Sequence, residues 1–321
     1  MNSEYQKEFC QSVKCDAIGQ SNISASKFAQ FLFPLPPLAE QKRIVARIEE
    51  LMPLVEEYGK LEENRRKLDA DLPDALEKAI LQDAIQGKLV PQDPAEGTAA
   101  ELMEKIARVK PAQTSKGGPR SRAVKPTACP EDSGLSGELP FEIPASWAWT
   151  RLSSLCDFYL GKTPPRGMME FWNPQDVPWV SIADMTHCGH ISTTKERVSS
   201  FAMESGAAGR LSPPGTLLMS FKLTIGKVSI LDCAASHNEA IISIVPFFDD
   251  NFATRNYLFK VLPMLTQYAQ SLSAIKGSTL NKKTLGEIPI PLPPLAEQKR
   301  IVAKVEQLLA AVRKLKTEAD R

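Results

Sequence analysis

Three groups of residues in this chain carry atoms suited to chemistry, and each is set at a spacing that argues against it. His187, Cys188 and His190, with Cys233 and His237 downstream, hold the nitrogens and sulfurs that bind zinc, but at no standard zinc spacing. Asn173-Pro174-Gln175-Asp176 shares its start with the Asn/Asp-Pro-Pro-aromatic motif of amino-methylating enzymes. It lacks the second proline and the aromatic, and no glycine-rich strand–loop–helix unit for a nucleotide cofactor accompanies it. Pro73-Asp74 with Glu77-Lys78 offers nuclease-like carboxylates, yet it sits in a helical region without the strand such a site needs. There is no Walker loop and no Gly-x-Ser-x-Gly elbow. The residues point to a non-catalytic chain without metal or bound cofactor.

Polar and basic loops are the better candidates. Gly161 to Gly167 pairs Lys162, Thr163 and Arg166 with tight-turn residues. Ser220 to Lys227 places Lys222, Thr224 and Lys227 around a turn, while His237-Asn238-Glu239 and Lys276-Gly277-Ser278-Thr279 complete the set, with Ser181 beside them. Lys and Arg next to backbone N–H groups hold phosphates, whereas Asn, His and Arg read base edges in the major groove. The candidate nucleic-acid contacts are therefore Lys162, Thr163, Arg166, Ser181, Lys222, Thr224, Lys227, Asn238, Lys276 and Ser278.

These loops need a scaffold. Residues 138–290 read as one complete mixed α/β domain, opening with two tryptophans, Trp147 and Trp149. Strand-like runs fall at Val177 to Ile182, Thr216 to Phe221, Lys227 to Leu231 and Ala240 to Val245, and a helix is expected from Asn256 to Leu272.

On either side of that domain stands a repeat. PLPPLAEQKRIVA occurs at Pro34 to Ala46 and again, letter for letter, at Pro291 to Ala303. Proline suits the first turn of a helix, so each copy reads as a strand-to-helix corner. Beyond it, Ile44, Ile48, Leu51 and Val55 in the first copy, and Ile301, Val305, Leu308 and Val312 in the second, follow the alternating spacing of a coiled-coil seam. They are the candidate subunit-interface positions. The first helix, 34–86, is expected to kink near Pro53; the second, 291–321, is shorter. Residues 87–137 read as a turn-rich exit and a flexible linker, and 1–33 as the tail of another domain.

At 321 residues the chain has room for roughly two domains, at ~150 residues each. A net charge of +1 leaves any basic surface to local placement. No apolar run suits a membrane span, and six scattered cysteines fit free thiols in a reducing cytoplasm.

The twice-used PLPPLAEQKRIVA corner, the GKLVPQDP exit, LPFEIPASWAWTRL, GKTPP…FWNPQDVPWVSIADM, GTLLMSFKLTIGKVSI, HNEAI and KGSTLNKKTLGEIPI together resemble the DNA-specificity subunits of type I restriction–modification systems. The resemblance implies an α/β target-recognition domain beside long antiparallel coiled-coil spacer helices. It also implies that each recognition domain reads half of a split site in double-stranded DNA. The helices would dock methyltransferase (modification) subunits that carry S-adenosylmethionine, and restriction subunits that use ATP and Mg would join them. The specificity subunit itself would bind no cofactor. Against that pattern only residues 1–33 remain of a first recognition domain, and the second spacer stops early. The chain would then pair with a copy of itself, work beside a separately encoded half, or be a remnant. The rival reading is a coiled-coil assembly or decoy protein that occupies modification subunits without reading DNA.

Overall fold

The computed structural model describes residues 8, 11, 15–17, 20–22, 25–30, 32, 35–114, 140–222, 224–271 and 282–319. Lys276 and Ser278, and residues 115–137 of the expected linker, lie outside them. The chain divides into two compact units, Met1–Leu68 and Asp69–Arg321, with the division inside a helix. In the first unit a small antiparallel hairpin, β1 (Cys15–Ala17) and β2 (Gln20–Asn22), precedes helix α1 (Ala25–Phe28). Helix α2 (Leu38–Ile85) begins in this unit and runs without a break through Pro53, Gly59 and Pro73. In the first unit its seam residues Ile44, Ile48, Leu51 and Val55 are all exposed.

The second unit is built around a five-stranded sheet in the order β4-β11-β8-β9-β6. Its strands are β4 (Cys156–Leu160), β6 (Gly189–Ile191), β8 (Leu217–Ser220), β9 (Val228–Leu231) and β11 (Ile241–Pro246), antiparallel except for β6 against β9. Strand side chains alternate between faces, so one sequence fills two cores. Leu217, Met219, Val228, Ile230, Ile242 and Ile244 face a large helical core, while Leu218, Leu231 and Ile241 face a smaller one. The opposite layer is a three-stranded sheet of β5 (Val177–Val180), β7 (Glu196–Val198) and β10 (Ser236–His237), followed by helix α5 (Ser200–Glu204) after β7.

Helix α6 (Ala253–Ser271) lies in the large core, and helix α8 (Leu295–Ala319) packs along it. The end of α2, helix α3 (Ala99–Thr114), and the ribbon formed by β3 (Ala148–Arg151) and β12 (Pro289–Leu292) close the same core. Two short helices, α4 (Leu152–Leu155) and α7 (Lys282–Gly286), sit beside that ribbon. Prolines at 289 and 291 leave only Ile290 and Leu292 to donate from β12, which suits a two-stranded ribbon and no inner strand.

The last part of α2 and α8 run antiparallel. Near the start of α8, Arg300 forks onto Glu96 at 2.8 and 2.6 Å, just past the end of α2. Near its end, Lys316 reaches back to Asp74 at 2.6 Å. Of the α8 positions expected in a seam, Ile301, Val305 and Val312 are buried and Leu308 is half-buried. Within the second unit that face is spent on the chain's own α/β core, with Ile301 and Val305 part of it. No helix among the described residues is long and apolar enough to cross a membrane.

Candidate nucleic-acid interface

The topology brings the sequence-selected loops to one end of the five-stranded sheet. β4 ends there at Leu160, opposite Ile242, and Ser220 at the end of β8 lies opposite Ile241. β5 also ends nearby, because β10 runs parallel beside it and leads directly into β11. Loops 161–176, 181–188, 221–227 and 238–240 therefore leave from neighbouring strand ends.

Backbone hydrogen bonds knit the loop bases together. Lys162 N–H donates to His237 O at 2.9 Å, Asn238 N–H to Val180 O at 3.0 Å, and Phe221 N–H to Ala240 O at 3.0 Å. Gly161 makes this possible: a Cβ there would come within 2.0 Å of His237 O and 2.2 Å of Asn238 O. Only glycine lets the two chains approach so closely. The Trp179 indole N–H donates to Lys162 O at 3.1 Å, and that of Trp172 to Pro165 O at 3.2 Å, pinning the first loop to the smaller sheet layer.

Arg166 is the best-defined polar group at this end. Its guanidinium donates two bonds to the Glu196 carboxylate, at 2.6 and 2.9 Å, while its carbon lies 4.0 Å from the Trp172 ring centroid. Hydrogen bonding to Glu196 raises its pKa further, so the cation is permanent. Glu239 accepts a short bond from the Thr163 hydroxyl, and this bond, helped by the charges of Lys222 and Arg166, holds its carboxyl below the usual range. Arg166, Thr163, Lys222 and Glu239 thus form one charged cluster drawn from three loops. Glu196 and the Trp172 ring together fix the position of the Arg166 guanidinium.

Residues 144–320 match the family described as the type I restriction modification DNA specificity domain. The chain belongs to that family. It is 32% identical over 180 residues to the type I restriction enzyme EcoAI specificity subunit of Escherichia coli, a match covering 44% of this chain and 30% of that protein. It is 29% identical over 164 residues to the MjaIX specificity subunit of Methanocaldococcus jannaschii, covering 50% of this chain and 37% of that one. The chain thus spans about a third of the length of these relatives. A solved HsdS subunit from Thermoanaerobacter tengcongensis aligns with 99% of this chain and 63% of its own, at 23% identity and a TM-score of 0.48. Both of these relatives are named specificity subunits.

Within this DNA-specificity fold the selected residues divide in two. Lys162, Arg166 and Thr224 are exposed, and Thr163, Lys222 and Lys227 are half-buried at the rim. Lys222 lies 5.7 Å from the Phe221 ring, and Lys227 reaches Ile182 O at 3.5 Å. Ser181 and Asn238 are bound locally instead. The Ser181 N–H and hydroxyl both donate to Asp184, at 2.9 and 2.6 Å, and the Asn238 side chain accepts from Ala240 N–H at 3.0 Å. They shape loops. Sequence reasoning missed Glu196, Trp172 and Arg210. The last lies 4.0 Å over Tyr159, in an open groove of about 410 Å³ that Lys162 also lines. Gly209, with φ of +78° and set against Lys162, is the sequence signal that marks the turn before Arg210.

Among the described residues no cluster of metal-binding side chains forms. His190 pairs with Asp232 at 2.8 Å, while His237 is buried beneath the loops. His237 Nδ1–H donates to Asn238 O at 3.3 Å, which makes Nε2 the acceptor for the Ser243 hydroxyl at 2.6 Å; Ser212 lies 2.9 Å behind it. Burial lowers its pKa to about 4, below the ordinary 6.5. A base depressed on folding stabilises fully above its unfolded pKa, and that stability fades as pH falls toward the folded value. Unfolding free energy should therefore drop by about 3 kcal/mol between pH 6.5 and 4, at about 1.4 kcal/mol per unit. His237→Gln should flatten that part of the curve in urea titrations at several pH values.

Proposed function

We propose that this chain reads one half of a split site in double-stranded DNA with the loop end of its α/β domain, and that it docks modification subunits through its helices. The observation that supports this best is the convergence of four loops at one sheet end, with Arg166, Lys222 and Lys227 among them, inside the stretch that matches a DNA specificity family. Lys222 and Lys227 hold phosphates and set the register, and Arg166 reads a base edge. Methylation of adenine would fall to modification subunits carrying S-adenosylmethionine. Restriction subunits using ATP and Mg would join through them. A split site needs two readers, so the chain works in an assembly that brings a second recognition domain.

The test is selection from a random duplex pool by the full chain co-expressed with modification subunits, followed by mapping of methylated adenines. Enrichment of one short motif is expected. Capture of the modification subunits with no enriched sequence would instead support the decoy reading. Replacing both Lys222 and Lys227 by Ala should weaken binding to every duplex alike. It should also lower the slope of log binding constant against log salt by about 2, roughly one per phosphate contact. An unchanged slope would remove these lysines from the contact surface.

A further inference from the structure

The five-stranded sheet has an outer strand, β4, that pairs with β11 alone among the described residues. The register fixes which of its backbone groups are spent. Gly161 N–H donates to Ile241 O, and Phe247 N–H donates to Leu155 O. Antiparallel bonding alternates along a strand, so Asp157 and Tyr159 face β11 while Phe158 and Leu160 face outward. Phe158 N–H is taken by the Asp157 carboxylate at 2.8 Å. Leu160 N–H, Leu160 O and Phe158 O have no hydrogen-bond partner among the described residues, and Leu160 is 46% exposed.

This open edge forms one wall of the groove of about 410 Å³ beside Arg210. The other wall is a turn at Gly206 and Gly209, both in the left-handed region with φ of +71° and +78°. A Cβ at Gly206 would meet nothing within 4 Å, so this wall leaves space beside the strand. Two cations stand over that space. Lys162 is exposed and donates to Gly206 O at 3.2 Å. Arg210 is exposed, lies on the Tyr159 ring, and makes no ion pair among the described residues.

We propose that this edge is a docking site for an extended, acidic segment of a partner protein, which adds a strand beside β4. Backbone N–H groups of the segment donate to Phe158 O and Leu160 O, and one of its carbonyls accepts from Leu160 N–H. Its carboxylates pair with Lys162 and Arg210, whose guanidinium the Tyr159 ring already holds. The groove favours this occupant over two others. A nucleic-acid phosphate would set its oxygens against the outward carbonyls, acceptor against acceptor. A second copy pairing edge to edge would bring Lys162 and Arg210 of both chains to one seam, where like charges repel. The inference does not depend on the reading of DNA by the loops.

The test is selection of short random peptides on the full chain, followed by fluorescence-anisotropy titration of the enriched sequences. Enriched peptides should alternate β-branched or apolar residues with Asp or Glu. Leu160→Pro removes an outward N–H and no internal bond, so the sheet should persist while affinity falls about tenfold or more. Arg210→Glu should lower affinity similarly, and Lys in place of Glu in the peptide should recover part of the loss. Urea midpoints check that both variants fold; should Leu160→Pro fail to do so, Arg210→Glu with the exchanged peptide decides alone. The proposal is overturned by the absence of any enriched peptide, by enriched peptides without acidic residues, or by affinities that neither variant changes. Duplex binding that falls on Arg210→Glu, in a chain that selects no peptide, would give the groove to phosphates instead.

Discussion

Replacing Ile301 by Ala is expected to cost about 2–5 kcal/mol of unfolding free energy, and the same change at Ile44 less than about 0.5 kcal/mol. Both isoleucines occupy the eleventh place of the same thirteen-residue sequence. Ile301 is 1% exposed in the large core with Val302 and Val305, so truncation removes transfer energy and leaves a cavity that close-packed neighbours cannot fill. Ile44 is 43% exposed and loses mostly contacts with water. Urea unfolding of the two variants measures the difference directly, read as a shift in midpoint at constant slope. Equal losses would mean that the first repeat is already packed in solution.

The second large effect is expected at Arg166. Ala in its place should cost about 1–3 kcal/mol of binding to the preferred duplex and should blunt the choice of base at one position, with little loss on unrelated duplexes. Lys should not rescue it, because a single ammonium cannot present two parallel donors. The ring of Trp172 and the Glu196 carboxylate hold the guanidinium in place before any duplex arrives, so less freedom is lost on contact. Competition binding against single-base variants of the selected site checks this. A uniform loss across all variants would make Arg166 a phosphate contact instead.

Much of the scaffold was legible in the sequence. The four expected strand runs appear as β5, β8, β9 and β11, and the helix expected at Asn256 to Leu272 is α6, continuous through Pro263. Short apolar runs bounded by Gly, Pro or Asp give those elements away. β4 was not legible. Its CDFYL sequence buries Cys156 and Phe158 but interleaves Asp157 and Tyr159, and Leu160 at its end is exposed, as suits an edge strand. The first helix was expected to kink near Pro53, but it continues there without a break.

Less of the candidate site could be read. The basic loops stood out by composition. Nothing in the spacing tied Arg166 to Glu196, thirty residues on, because that pairing exists only once β7 lies beside β5. Asn238 and Ser181 have the residue types of base readers, yet their side chains are used in local turns. The two repeats were indistinguishable for the plainest reason: identical sequences carry no record of which one is covered.

The crowded crossing at Gly161 also bears on how such a protein can change its preference. Any side chain there would collide with the backbone oxygens of His237 and Asn238, so position 161 is closed to substitution. The exposed stretches beyond it, at 165–170 and 173–176, meet no such barrier. On the proposed reading, new specificities would arise by rewriting the outer loops over this fixed fulcrum, without rebuilding the frame.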